Sequence, residues 1–114
     1  PVGTTKTIMW QGKPVFVRHR TPTEIADAAA ADGAGLKHPE TDANRAQRPE
    51  WLVMLAVCTH LGCVPIPGGD FSGWLCPCHG SQFDGSGRIR KGPAPTNLEI
   101  PPYSFVDANT LKIG

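Results

Sequence analysis

The sequence is poor in aromatic residues, 7% of 114 positions, and nearly without net charge, at a formal +1. A charge that small leaves no global field to draw in nucleic acid or an anionic membrane surface, and no nucleic-acid partner is expected. No block of Lys and Arg is present. The nearest approach, Arg88, Arg90 and Lys91, reads as a solvated strand edge. No apolar run nears the roughly 18 residues that span a bilayer, and no secretory signal pattern is seen. What the chain does have is 13 glycines and 12 prolines. A chain of this length buries only about two-thirds of its unfolded surface. Together these predict one loop-rich, mostly β domain that needs a staple.

Thr4 to Trp10 and Val15 to Arg18 read as strands around a QGKP turn. Thr21, Pro22 and Glu24 form a capping box with a proline start, the alanines that follow sustain a helix, and Gly33 stops it. Asp32 to Glu50 is polar and reads as a surface excursion. Trp51 to Val57 (WLVMLAV) is continuously apolar and predicts a strand buried on both faces. Gly73 to Leu75, the GRIR stretch, Leu98 to Ile100, Tyr103 to Val106 and Thr110 to Ile113 read as further strands, with Asp107 to Asn109 turning between the last two. The expected architecture is an antiparallel β-sandwich with one helix–loop insertion. The base fold is placed at about 1–57 and 96–114, and a small subdomain at about 58–95, all within a single domain.

Two hexapeptides, CTHLGC (58–63) and CPCHGS (76–81), hold all four cysteines and two of the four histidines. Paired Cys/His motifs on glycine-rich loops are a strong metal signal. Three arrangements are open. Two Cys and two His would hold zinc but leave Cys63 and Cys78 unused. Four Cys would hold a plant-type 2Fe–2S cluster but leave both histidines unused, with Cys76 and Cys78 close together for two ligands. A third uses all six: Cys58 and Cys76 on one iron, His60 and His79 on the other, Cys63 bonded to Cys78. The residues alone do not rank the two histidines. His19 and His38 lie outside the motifs and read as ordinary surface or core residues. Asp84 and Arg88 are spaced for a local ion pair, worth little if exposed.

CTHLGC with CPCHGS, followed by SGRIRKGPAPTNLEIP, resembles the Rieske iron–sulfur protein of cytochrome bc complexes, the quinol:cytochrome c reductases. The likeness runs over most of the chain. The strand–helix insertion before Cys58 is similar to the mitochondrial and α-proteobacterial kind. The resemblance implies a three-sheet sandwich with a cluster-binding subdomain and one 2Fe–2S cluster. The metal ligands it implies are Cys58, His60, Cys76 and His79, with a disulfide between Cys63 and Cys78. It implies that His79 meets quinol and takes its proton beside His60, and that the Ser81 hydroxyl donates to a bridging sulfide. The docking surface, around Leu61, Gly62, Pro65 and the Gly92–Pro95 loop with Pro93, would face cytochrome b and then a c-type cytochrome. The implied location is the periplasmic side of the bacterial inner membrane or the intermembrane-space side of the mitochondrial one. Because the chain opens on Pro1 without Met, an N-terminal membrane anchor is expected outside it. The disulfide fits such an oxidising compartment.

Two ferric ions, two sulfides and two thiolates sum to about zero charge, whereas four thiolates give about −2. Reduction of the neutral centre is easier, which places two-histidine clusters at about −150 to +300 mV against about −400 mV for plant-type ferredoxins. One position departs from the family pattern. Phe83 stands where high-potential members carry Tyr, and Phe cannot donate a hydrogen bond to a ligand sulfur. A potential below that of Tyr-bearing relatives is expected. The alternatives are a soluble Rieske ferredoxin or oxygenase-associated electron-transfer domain, which generally lacks the second cysteine pair, and a structural zinc module.

Overall fold

The structure, a computed structural model, describes residues 2–33, 35–59, 62–107 and 110–114. In chain order these form β1 (Thr5–Trp10), β2 (Lys13–His19), α1 (Pro22–Ala30), α2 (Asp42–Arg45), β3 (Trp51–Leu55), β4 (Ile66–Gly68), β5 (Gly73–Leu75), β6 (Gln82–Phe83), β7 (Ile89–Lys91), β8 (Tyr103–Asp107) and β9 (Thr110–Ile113). They build three antiparallel sheets, ordered β1-β2-β3, β4-β5-β6-β7 and β8-β9. The mostly antiparallel β fold is therefore as expected. No described helix is long and apolar enough to cross a membrane.

β1 and β2 are joined by Gln11 and Gly12, both at positive φ (49° and 75°). That is the backbone twist a two-residue hairpin needs. β3 is the central wall. Side chains alternate across a strand, so Leu52 and Met54 enter one core with Phe16, Trp74, Phe83 and Ile89. Val53 and Leu55 enter a second core with Val15 and Tyr103. A strand between two cores must be apolar at every position, which is what WLVMLAV is. Helix α1 starts as expected, with Thr21 Oγ1 accepting from Glu24 N at 3.2 Å. The Glu24 carboxylate is held mainly by Arg18, at 2.6 and 2.9 Å.

Three expectations are corrected. The 32–50 excursion is not confined to the surface: it contains α2 and buries Leu36, Asp42, Arg45 and Ala46. Arg45 reaches inward to the carbonyls of Ser86 (2.6 Å) and Leu98 (2.8 Å), while Asp42 takes both arms of the buried Arg20 at 2.6 and 2.9 Å. Arg88 does not lie on a solvated edge. It is fully buried, pairs with Asp84 at 3.0 Å and with Asp32, and donates to the Ala28 carbonyl at 2.8 Å. A guanidinium fork can satisfy several oxygens at once, which is what lets it sit inside. Leu98 to Ile100 forms no strand. It adds one bond to β3, Leu55 N to Glu99 O at 2.8 Å, and the prolines that follow at 101 and 102 have no N–H to extend a ladder.

Candidate metal centre

The two hexapeptides fold into loops closed in the same way. In the first, Cys58 N donates to Cys63 O (2.8 Å) and Gly62 N to Cys58 O (2.8 Å). In the second, Cys76 N donates to Ser81 O (2.7 Å) and Gly80 N to Cys76 O (3.0 Å). Residues one, five and six do the same work in each. The fifth is glycine both times because φ is +84° at Gly62 and +78° at Gly80, a region that disfavours a side chain. The first loop follows β3 after two residues of irregular chain. The second runs straight from β5 into β6.

Cys63 and Cys78 are joined by a disulfide that ties one loop to the other. Cys58 and Cys76, the first residue of each loop, stand outside it and are 2% and 1% exposed. The sulfurs of Cys63, Cys76 and Cys78 all lie within 4.8 Å of one another, but two of the three are bonded together, so this trio is not a three-thiolate site. The same bond puts a four-cysteine cluster out of reach. The donors left are two buried thiols at matched loop positions and the exposed imidazole of His79, a set that fits a cluster held by cysteine on one iron and histidine on the other. His60 and Leu61 lie outside the described residues.

Ser81 is fully buried. Its hydroxyl oxygen accepts from Ala94 N at 3.1 Å, so its own proton remains for donation elsewhere. Phe83 is also fully buried, in the same core as Cys58, Cys76 and Ala94. Gly62 and Pro93 are exposed, whereas Pro65 and Ala94 are buried and so offer no docking surface. Two contacts of the proline loop went unread in the sequence. Thr59 Oγ1 donates to Thr96 O at 2.6 Å, and Lys37 Nζ donates to Gly92 O (3.2 Å) and Ala94 O (2.9 Å). Thr59 lies inside the CTHLGC motif. Nothing local marks Lys37, 55 residues from Gly92.

A family model, the Rieske [2Fe-2S] domain, matches residues 32–103. A mitochondrial cytochrome b-c1 complex Rieske subunit of Zea mays is 62% identical over 98% of the chain and 41% of its own length. That of Saccharomyces cerevisiae is 61% identical over 100% of the chain and 53% of its own length. The ubiquinol-cytochrome c reductase iron-sulfur subunit of Rhodospirillum rubrum is 58% identical over 98% of the chain and 64% of its own length. The chain thus spans about half the length of the relatives it matches. Among solved structures, a chain of a hyperthermophilic respiratory complex III is similar with a TM-score of 0.65 at 26% identity, over 96% of this chain and 64% of that one. With two thiols and a disulfide set on matched loops, and with these likenesses, the chain belongs to the Rieske [2Fe-2S] domain family, whose cofactor is a two-iron, two-sulfide cluster.

Proposed function

We propose that the chain is the electron-carrying extrinsic domain of a ubiquinol:cytochrome c reductase. It takes one electron and one proton from quinol and passes the electron to a c-type cytochrome. The observation that carries this is the pairing of two buried, matched thiols with a loop-to-loop disulfide, in a chain 58% identical to a bacterial subunit of that name.

In this reading residues 58–95 form the cluster-binding subdomain, and 1–57 with 96–114 form its base. Cys58 and Cys76 would hold one iron, and His60 and His79 the other. When bound, the cluster supplies a one-electron acceptor of high potential, because two thiolates rather than four burden it with negative charge. His79 is exposed; with one ring nitrogen given to iron, its other would be the one to meet quinol and hold the transferred proton. His60 stands as its partner ligand. The Ser81 hydroxyl, whose oxygen accepts from Ala94 N, would donate its proton toward the cluster, and Phe83, fully buried, would exclude water without donating. Leu61, Gly62 and Pro93 form the contact with cytochrome b and then with the c-type haem subunit. The domain works on the periplasmic or intermembrane-space side of its membrane, held there by an N-terminal anchor. The disulfide supports an oxidising compartment.

The test joins composition to turnover. Two irons and two labile sulfides per chain are expected, with pulsed EPR couplings from two imidazole nitrogens in the reduced protein. In the purified complex, quinol should reduce this centre and a c-type cytochrome should reoxidise it. Reduction by a ferredoxin reductase but not by quinol would move the assignment to the ferredoxin class, and a protein without iron would return it to zinc.

A further inference from the structure

The Gly92–Pro95 loop is held from three directions. Thr59, in the first cysteine loop, bonds the carbonyl just past its end, at Thr96. Ser81, in the second loop, takes the Ala94 N–H. Lys37, from the insertion between α1 and α2, bonds the Gly92 and Ala94 carbonyls together. Two of the four loop residues are proline and have no N–H. The Ala94 amide is therefore one of only two that the loop can offer, and it goes to Ser81. The Lys37 bonds fall on the residues that touch Ser81: Ala94 through its N–H, and Gly92 through a backbone so near that a Cβ would stand 3.1 Å from the Ser81 oxygen. A surface lysine ordinarily keeps its rotamer freedom. Here one ammonium is tied to two converging carbonyls, one of them partly buried.

We infer that Lys37 is a positioning residue for Ser81. By fixing the Gly92 and Ala94 carbonyls it keeps the Ala94 N–H on the Ser81 oxygen, which occupies one lone pair and turns the hydroxyl proton away from the loop. An insertion that supplies no ligand thereby sets the direction of a hydrogen bond donor at the cluster. The inference rests on the place given to Ser81 above and deepens it.

The experiment uses the cluster-loaded protein in its complex and reads two quantities other than turnover: hydrogen–deuterium exchange over the 92–97 segment, and the cluster midpoint potential. Lys37→Met should speed exchange there about tenfold and lower the midpoint. Lys37→Arg, which can still donate to both carbonyls, should preserve both. Ser81→Ala should lower the midpoint, and Lys37→Met should add nothing in that background. Unchanged exchange in Lys37→Met overturns the inference. So does an equal drop in midpoint with and without Ser81, which is the signature of a through-space charge effect. If Ser81→Ala leaves the midpoint unmoved, the role of Ser81 fails and the inference falls with it. If Ser81→Ala shifts it and Lys37→Met does not, the role of Lys37 alone is overturned.

Discussion

Gly92 rests against Ser81 so closely that a β-carbon built on it would stand 2.6 Å from the Ser81 Cα. Its φ of +100° excludes ordinary side chains independently. Neither group can give way, since the Ser81 contact is backbone. Gly92→Ala is expected to destabilise the protein by about 2–4 kcal/mol through overpacking and backbone strain, and to lift the proline loop from the second cysteine loop. Thermal unfolding measures the first effect, and the visible absorbance kept after purification measures the second. A variant with wild-type stability would contradict the close approach.

The Phe83 side chain is fully buried and carries no hydrogen-bond donor. Phe83→Tyr would bring a hydroxyl into a core that already holds Cys58 and Cys76. If the hydroxyl finds a ligand sulfur, it stabilises the more negative reduced state. A gain of about 1 kcal/mol is about 40 mV for a one-electron couple. The midpoint is expected to rise by tens of millivolts. A fall or no change would sink the idea, and a loss of stability without a midpoint change would show the hydroxyl stranded.

Acid should weaken the fold in a defined window. Burial pushes the Asp42 carboxyl up, but bonds from Arg20 and Ser86 and the charges of Arg20 and Arg88 outweigh it, leaving it below its usual range. Glu24 is held low as well, by its hydrogen bond from Arg18 first. A carboxyl depressed in the folded state contributes stability above its unfolded pKa, about 4, and loses it as pH falls through the folded value. Melting temperature should therefore hold steady near neutrality and drop below about pH 4. Asp42→Asn should flatten part of that drop. It should also lower the unfolding free energy at neutral pH by about 3–5 kcal/mol, because Arg20 is left buried without a countercharge. Identical acid slopes in the two proteins would refute the assignment.

Removing the disulfide should depend on how it is removed. Replacing both Cys63 and Cys78 by Ser opens a link between residues 15 apart, a loss of about 3 kcal/mol in the chain-entropy picture. Replacing Cys63 alone leaves a Cys78 thiol whose sulfur is within 4.8 Å of Cys76. Under the oxidising conditions that form the native disulfide, the same oxidant can take two electrons and two protons from Cys78 and Cys76, joining them and withdrawing Cys76 from metal binding. The single variant is expected to retain less iron than the double, and non-reducing peptide mapping should find Cys76 joined to Cys78. Equal iron content in both would count against it.

The parts of the molecule that were readable from sequence are those whose cause is local. A capping threonine before proline starts α1, and a run apolar at every position makes β3 because both its faces are buried. The disulfide partners stand in the two motifs themselves. What escaped reading has a cause far along the chain. Arg88 looks like a surface charge until Asp32 and the Ala28 carbonyl, 56 and 60 residues away, are brought to it. The same holds for Arg45 with Leu98, 53 residues apart. Strand β4 is IPG, exposed throughout and built on Pro and Gly, residues depleted in strands, and β6 has only two residues.

The buried arginines also change what another molecule touches at close range. Of 11 cationic and 10 acidic residues, Arg20, Arg45, Arg88, Asp42 and Asp84 are interior, so eight of each sign face the solvent. The exposed charges are balanced, and the net charge of the whole chain, buried groups included, is only +1, so long-range attraction, which accelerates encounter for strongly charged pairs, has little to act on. Docking of such a surface is set by shape and local contact, and its rate should vary little with ionic strength.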